Sequence, residues 1–297
     1  MRRRSPLITF LPIGRALLWP ALFSLTGVAC LNRPTYTKDD LAASVQRLCQ
    51  KEYGFKAEAR LVGKTLYVVT ALDGLVGRDL GLQRETMEKL EGAVLSSTRV
   101  ALSTNADLNY LVVKARDSRL GVTVTILRYL PDVKSLLYMR ISRSDFMDRQ
   151  VQETENALEP ESPESWHDVT MMEFQARLVA SRLQRLFSEN PLIAVFLQVR
   201  RVEGVFVDGT LSLRLDKFEN EPGTNFLVEE ILRTAVEDTV RDVVKKYNLR
   251  GILKHVRVSD DADRRLLDLE VEELMSRPPS PAPPKGVFSK LREKEAE

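Results

Sequence analysis

Along residues 37–275, apolar positions recur at two spacings, and the spacings alternate in a fixed order. Leu41, Val45, Leu48 and Cys49 fall on one helical stripe, which predicts a helix over 37–53. Thr37 suits its N-cap, and Asp39 and Asp40 suit its positive end. Two strands follow, 56–62 and 65–72, and Gly63-Lys64 between them fits a two-residue type II′ turn. Met87, Leu90, Val94 and Ala101 mark a second helix, and 108–115 with 121–129 a second strand pair.

The same order returns further on. Thr170 and Glu173 form a capping box ahead of a stripe at Met172, Ala176, Val179, Leu183 and Leu186. Strands at 194–207 and 210–215 flank Asp208-Gly209, a strong type I′ signal. A helix over 225–247 carries Val228, Ile231, Ala235, Val243 and Tyr247 on one face, with Gly251 beyond its end. The last hairpin pairs 255–259 with 266–274. Val62-Gly63-Lys64-Thr65-Leu66 precedes Val207-Asp208-Gly209-Thr210-Leu211 by 145 residues, and the other elements follow at nearly that offset.

This order predicts an α+β protein of two tandem αββαββ modules, 37–150 and 169–275. Each is expected to be a four-stranded antiparallel sheet with two helices on one face, a permuted ferredoxin-like arrangement. Thr123 and Thr125 alternate with Val122, Val124 and Ile126, so one face is polar and free to meet solvent, the sister module or a partner. Residues 151–168 are acidic and proline-bearing, and read as a flexible linker. The tail 276–297 is proline-rich and reads as a disordered spacer. The stretch from Arg128 to Ile141 has no counterpart in the second module; it is expected to pack on the first, with a partner surface at Tyr138 as the alternative.

Ahead of the modules, Met1-Arg2-Arg3-Arg4 and Arg15 precede an apolar run from Ala16 that closes on Gly27-Val28-Ala29. That is the order of an export signal over 1–29. As a helix the 14 residues from Ala16 to Ala29 reach about 21 Å, short of the roughly 30 Å hydrocarbon core. Gly27-Val28-Ala29-Cys30 resembles the lipobox of bacterial lipoproteins, with Gly27 where that family usually carries a branched apolar residue. The resemblance implies lipidation of Cys30 by acyl chains such as palmitate and a tether over 30–36. It further implies an outer-membrane, periplasm-facing location, since Leu31 rather than Asp follows the cysteine. Ordinary signal cleavage is the alternative, and Cys30 would then be free to pair with Cys49.

The full chain of 297 residues carries a formal charge of +2. Removing Arg2, Arg3, Arg4 and Arg15 with the leader leaves 40 basic against 42 acidic residues, so the basicity belongs to targeting and argues against a nucleic-acid partner. His167 and His255 lack metal-ligand neighbours, and no catalytic, cofactor-binding or metal-binding residues are assigned. Asp260, Asp261 and Asp263 could suggest Ca²⁺ but lack the glycine and terminal glutamate of an EF-hand, which favours a solvated turn. Asp216, Glu219 and Glu221 read as a charged loop. The expected function is a non-enzymatic, membrane-tethered envelope module that binds an envelope protein by strand addition. The alternatives are an exported hydrolase using loop carboxylates and a carrier of an apolar ligand.

Overall fold

The computed structural model describes residues 35–75, 83–156, 162–217 and 225–278. The expected leader, Cys30 and most of the tether lie outside them, as does the tail beyond Pro278. The first half runs α1 (Leu41–Tyr53), β1 (Ala57–Val62), β2 (Thr65–Ala71), α2 (Arg84–Leu102), β3 (Tyr110–Asp117) and β4 (Val122–Tyr129). It continues through α3 (Leu130–Leu137), α4 (Arg143–Asp148) and β5 (Val151–Asn156). The second half runs α5 (Met171–Glu189), α6 (Pro191–Leu197), β6 (Val199–Val207), β7 (Thr210–Lys217), α7 (Asn225–Tyr247), β8 (His255–Asp260), β9 (Arg265–Glu270) and α8 (Val271–Ser276). The chain is α+β, with the two tandem modules in the expected order.

The sheets differ from expectation in detail. Their orders are β1-β2-β3-β4-β5 and β6-β7-β8-β9, and the pairs β2–β3 and β7–β8 are parallel. The sheets are therefore mixed, not purely antiparallel, and their order is not that of a permuted ferredoxin. Each hairpin is antiparallel as its turn requires, but the α2 and α7 crossovers return the chain to its starting end, where the next strand lies parallel beside the last. The first sheet also has a fifth strand. β5 occupies the start of the stretch expected to be a flexible linker and pairs antiparallel with β4. Residues 194–197 and 271–274, expected as strand, form helix instead, within α6 and α8, and Met172 is exposed.

Turn chemistry placed the hairpins correctly. Gly63 has φ +57, and Asp208 and Gly209 have φ +48 and +77, as a type I′ turn demands. Thr170 Oγ1 accepts from the Glu173 amide at 3.1 Å and caps α5.

The central finding is the layer order. Leu66, Val68, Leu111, Val113 and Val124 project from one face of the first sheet into a core with α1 and α2. The alternate residues Tyr67, Tyr110, Val112 and Leu127 project from the other face. They share a core with Phe174, Leu178, Val236 and Val240 of α5 and α7, which in turn meet Leu211, Leu213, Val256 and Val258 of the second sheet. The order is thus helix pair, sheet, helix pair, sheet. The face of the first sheet bearing Thr123 and Thr125 is covered by the second module, and Thr125 is buried. Burial on both faces accounts for the near-continuous apolar runs of β2 and β3.

Residues 162–169 belong to this packing. Trp166 stacks on Tyr67 with ring centroids 5.1 Å apart, and the Tyr67 hydroxyl donates to the His167 carbonyl at 2.8 Å. Asp168 accepts from the Lys64 amide at 2.8 Å and from Thr65 Oγ1 at 2.9 Å, and Thr65 Oγ1 accepts in turn from the Val169 amide. A Cβ on Gly63 would lie 2.3 Å from the Asp168 carboxyl. Gly63→Ala is therefore expected to lose about 2 kcal/mol in urea unfolding, from positive φ strain and from displacement of Asp168. A loss below about 0.5 kcal/mol would show that this strap does not hold the hairpin.

Candidate functional site

β5 is one of the two edge strands of the first sheet and β6 one of the two of the second. Both flank α5, whose polar residues Arg177, Ser181 and Gln184 form the floor of a groove of about 810 Å³ between them. Val151 of β5 and Val202 of β6 are both buried in the core to which α5 contributes, which holds the two strands beside that helix. Gly204 permits the approach on the β6 side: a Cβ there would lie 2.4 Å from the Ala176 carbonyl oxygen.

Each edge is plugged at one residue by a side chain of α5. Ser181 Oγ accepts from the Gln152 amide at 3.1 Å and donates to the Gln152 carbonyl at 2.7 Å. Gln184 Oε1 accepts from the Val202 amide at 2.8 Å. In an antiparallel pair alternate residues turn both backbone groups outward. Thr154 therefore shares the outward direction of Gln152, and Gly204 that of Val202. Among the described residues, the outward backbone groups of Thr154 and Gly204 have no hydrogen-bond partner.

Three of the carboxylates lining the groove, Glu153, Glu155 and Glu203, are ion-paired. Glu153 accepts from Arg177 at 2.5 and 3.0 Å, and Arg201 lies 3.4 Å from Glu155 and 3.3 Å from Glu203. Burial alone would lower the Arg177 pKa, but the bond to Glu153 and the charges of Glu153, Glu173 and Glu155 outweigh it and hold the guanidinium well above its usual value. Such pairs fix the walls. The walls are polar, so the groove suits a polar extended chain rather than an apolar ligand.

A second charged cluster joins the modules away from the groove. Asp132 of α3 accepts from Arg149 at 3.1 Å and from the Tyr247 hydroxyl at 2.6 Å. Lys246 lies 2.7 Å from Asp145 and 3.0 Å from Asp242, and Arg182 donates to Asp242 at 2.6 Å. Burial raises the Asp132 pKa, only partly offset by its bonds to Tyr247 and Arg149. Burial also raises Tyr247, reinforced by the Asp132 charge. For Asp145 and Asp242 burial acts upward too, but the cations bound to them win and both end below the usual carboxylate value. With each member spoken for, the cluster is a clamp between modules.

The residues singled out in the sequence scatter. His167 Nε2 lies 2.8 Å from Glu173, whereas His255 lies in β8 opposite Glu270. Asp260 accepts from the amides of Ala262 and Arg264 and from Arg264 Nε, so it closes its own turn. Among the described residues no three potential ligands converge on a metal position. Cys49 is a free, buried thiol in the first core, and burial pushes its pKa up to about 11. Asp216 lines the groove, a placement its expected loop did not suggest. From the stretch 128–141, Leu130 and Val133 pack in the first core, as does Phe146 just beyond it, while Tyr138 is exposed. Among the described residues no helix is long and apolar enough to cross a membrane.

Fold and groove together define a two-module α+β protein with two sheet edges converging on one helix. Comparison with family models, with curated proteins and with solved structures returns no match.

Proposed function

We propose that the protein is a membrane-tethered bacterial envelope lipoprotein, anchored through Cys30, that binds an extended segment of another envelope protein. The observation that carries the binding role is the groove over α5, where Thr154 and Gly204 present outward backbone groups on two facing edges. A strand entering the groove would satisfy those groups and gain specificity from the ion-paired walls. The anchoring role rests on the leader and its lipobox-like ending.

Thr154→Pro tests the groove. Proline removes an outward amide that β4 does not use, so the fold is expected to hold within about 1 kcal/mol. Cross-linking from intact membranes, followed by affinity capture, is expected to lose the partner recovered with the unaltered chain. Undiminished recovery with a folded Thr154→Pro chain would exclude strand addition at this edge. Mass analysis of the mature N-terminus in the same preparation tests Cys30: an acylated cysteine is expected, and an intact Met1 on a soluble chain would overturn anchoring.

A further inference from the structure

The turn between α3 and α4 holds Leu137, Tyr138 and Met139 at the surface, 61, 71 and 92 % exposed. The turn is held in place on both sides. Leu130 and Val133 anchor α3, Phe146 anchors α4, and the Asp132–Arg149–Tyr247 contacts tie both to α7. Its backbone is closed by the amides of Tyr138, Met139 and Arg140, which donate to the carbonyls of Lys134, Leu136 and Ser135 at 2.8–3.0 Å. Met139 sits at φ +54, a position where glycine would be less strained. Its side chain gains no burial in return, so the fold does not account for a methionine there.

The exposed charges without an ion pair around this tip are of one sign. Lys134, Arg140 and Arg143 are exposed and have no ion-pair partner among the described residues; the Arg140 guanidinium lies 5.6 Å from the Tyr138 ring centroid. The nearby carboxylates are ion-paired with other cations: Asp145 with Arg149 and Lys246, and Asp107 with Lys64, although Asp107 also lies within Coulombic reach of Lys134.

We propose that the α3–α4 turn is a membrane-contact tip that inserts Leu137, Tyr138 and Met139 into the interface of an anionic bilayer while Lys134, Arg140 and Arg143 meet the headgroup phosphates. The chemistry matches on both counts. Apolar and tyrosine side chains settle at the headgroup–acyl boundary, and lysine and arginine reach back to anionic headgroups. A bilayer offers apolar depth ringed by negative charge anywhere on its surface, and a protein partner would need both in one pocket. This contact is separate from the groove and from lipidation of Cys30.

The test uses the full chain carrying Cys30→Ser and Met139→Cys, labelled with a polarity-sensitive fluorophore. Cys49 is buried and escapes labelling. With phosphatidylcholine vesicles containing phosphatidylglycerol, the emission is expected to shift to the blue and to be quenched by bilayer-embedded quenchers. Each cation near an anionic surface is worth about a fivefold gain, so adding Lys134→Gln, Arg140→Gln and Arg143→Gln is expected to weaken the response roughly 100-fold. Any attachment by the leader is common to all these chains, so the difference reports the tip. A label at Leu95→Cys, exposed on α2, is expected to show no shift. The proposal is overturned by an unshifted label at 139, by equal shifts with and without phosphatidylglycerol, by an equal shift at 95, or by a shift produced only by lipid-free envelope protein.

Discussion

Replacing Phe174 with alanine is expected to lower the unfolding free energy by about 3–5 kcal/mol and to weaken both modules in one transition. Phe174 is fully buried on α5, with its ring centroid 5.7 Å from Tyr110, 5.8 Å from Tyr129 and 5.7 Å from Tyr247. Two of those partners belong to the first sheet and one to α7, so the cavity opens where the modules share a core. Urea unfolding followed by far-UV and near-UV signals is expected to give coincident midpoints in both the parent and the variant. If the variant left the first module's transition unmoved, the shared helical layer would not couple the halves.

Arg149→Ala is expected to cost about 3–5 kcal/mol at pH 7, because it leaves the Asp132 carboxylate buried with only the Tyr247 hydroxyl. Asp132→Asn is expected to change stability by less than about 1 kcal/mol, since the amide still accepts from Tyr247 and Arg149 keeps Asp145. The signs with pH follow from the shifts. Asp145 and Asp242 lie below their usual value, so their contribution is complete above about pH 4 and is lost as pH falls through their folded pKa values. Asp132 lies above its usual value, so its contribution runs the other way: it is complete below that value and is lost as pH rises. Asp132→Asn removes this opposing slope and is expected to lose stability more steeply on acidification. The Arg149→Ala deficit is expected to shrink as Asp132 takes up a proton. Urea midpoints between pH 7 and pH 3 measure both, and a pH-independent Arg149→Ala deficit would rule out the buried carboxylate as its cause.

Legibility in the sequence followed the range of the interaction. The hairpin at Asp208-Gly209 and the cap at Thr170 could be read because a few neighbouring residues set them. β5 could not. Val151-Gln152-Glu153-Thr154-Glu155-Asn156 reads as a solvated acidic run until Arg177, 24 positions on, neutralises Glu153, and Arg201, 46 positions on, meets Glu155. The groove was hidden for the same reason, because its walls come from two sheets. One signal was available: Arg177, Ser181 and Gln184 make a polar stripe on a helix otherwise buried over a wide arc. The second half of α6, residues 194–197, reads as the start of a strand because so short an apolar run shows no period that separates the two structures.

Taken alone, the chain's order of residues determined most of the elements, the two hairpin turns and their recurrence, since period and local backbone preference act over a few positions. Tertiary packing decided which strands lie side by side, that α5 and α7 fill the space between the sheets, and that β5 and β6 end as facing edges. Those outcomes depend on burying both sides of one sheet and of one helical layer at once, and the groups that achieve it stand up to 115 residues apart, as Asp132 and Tyr247 do.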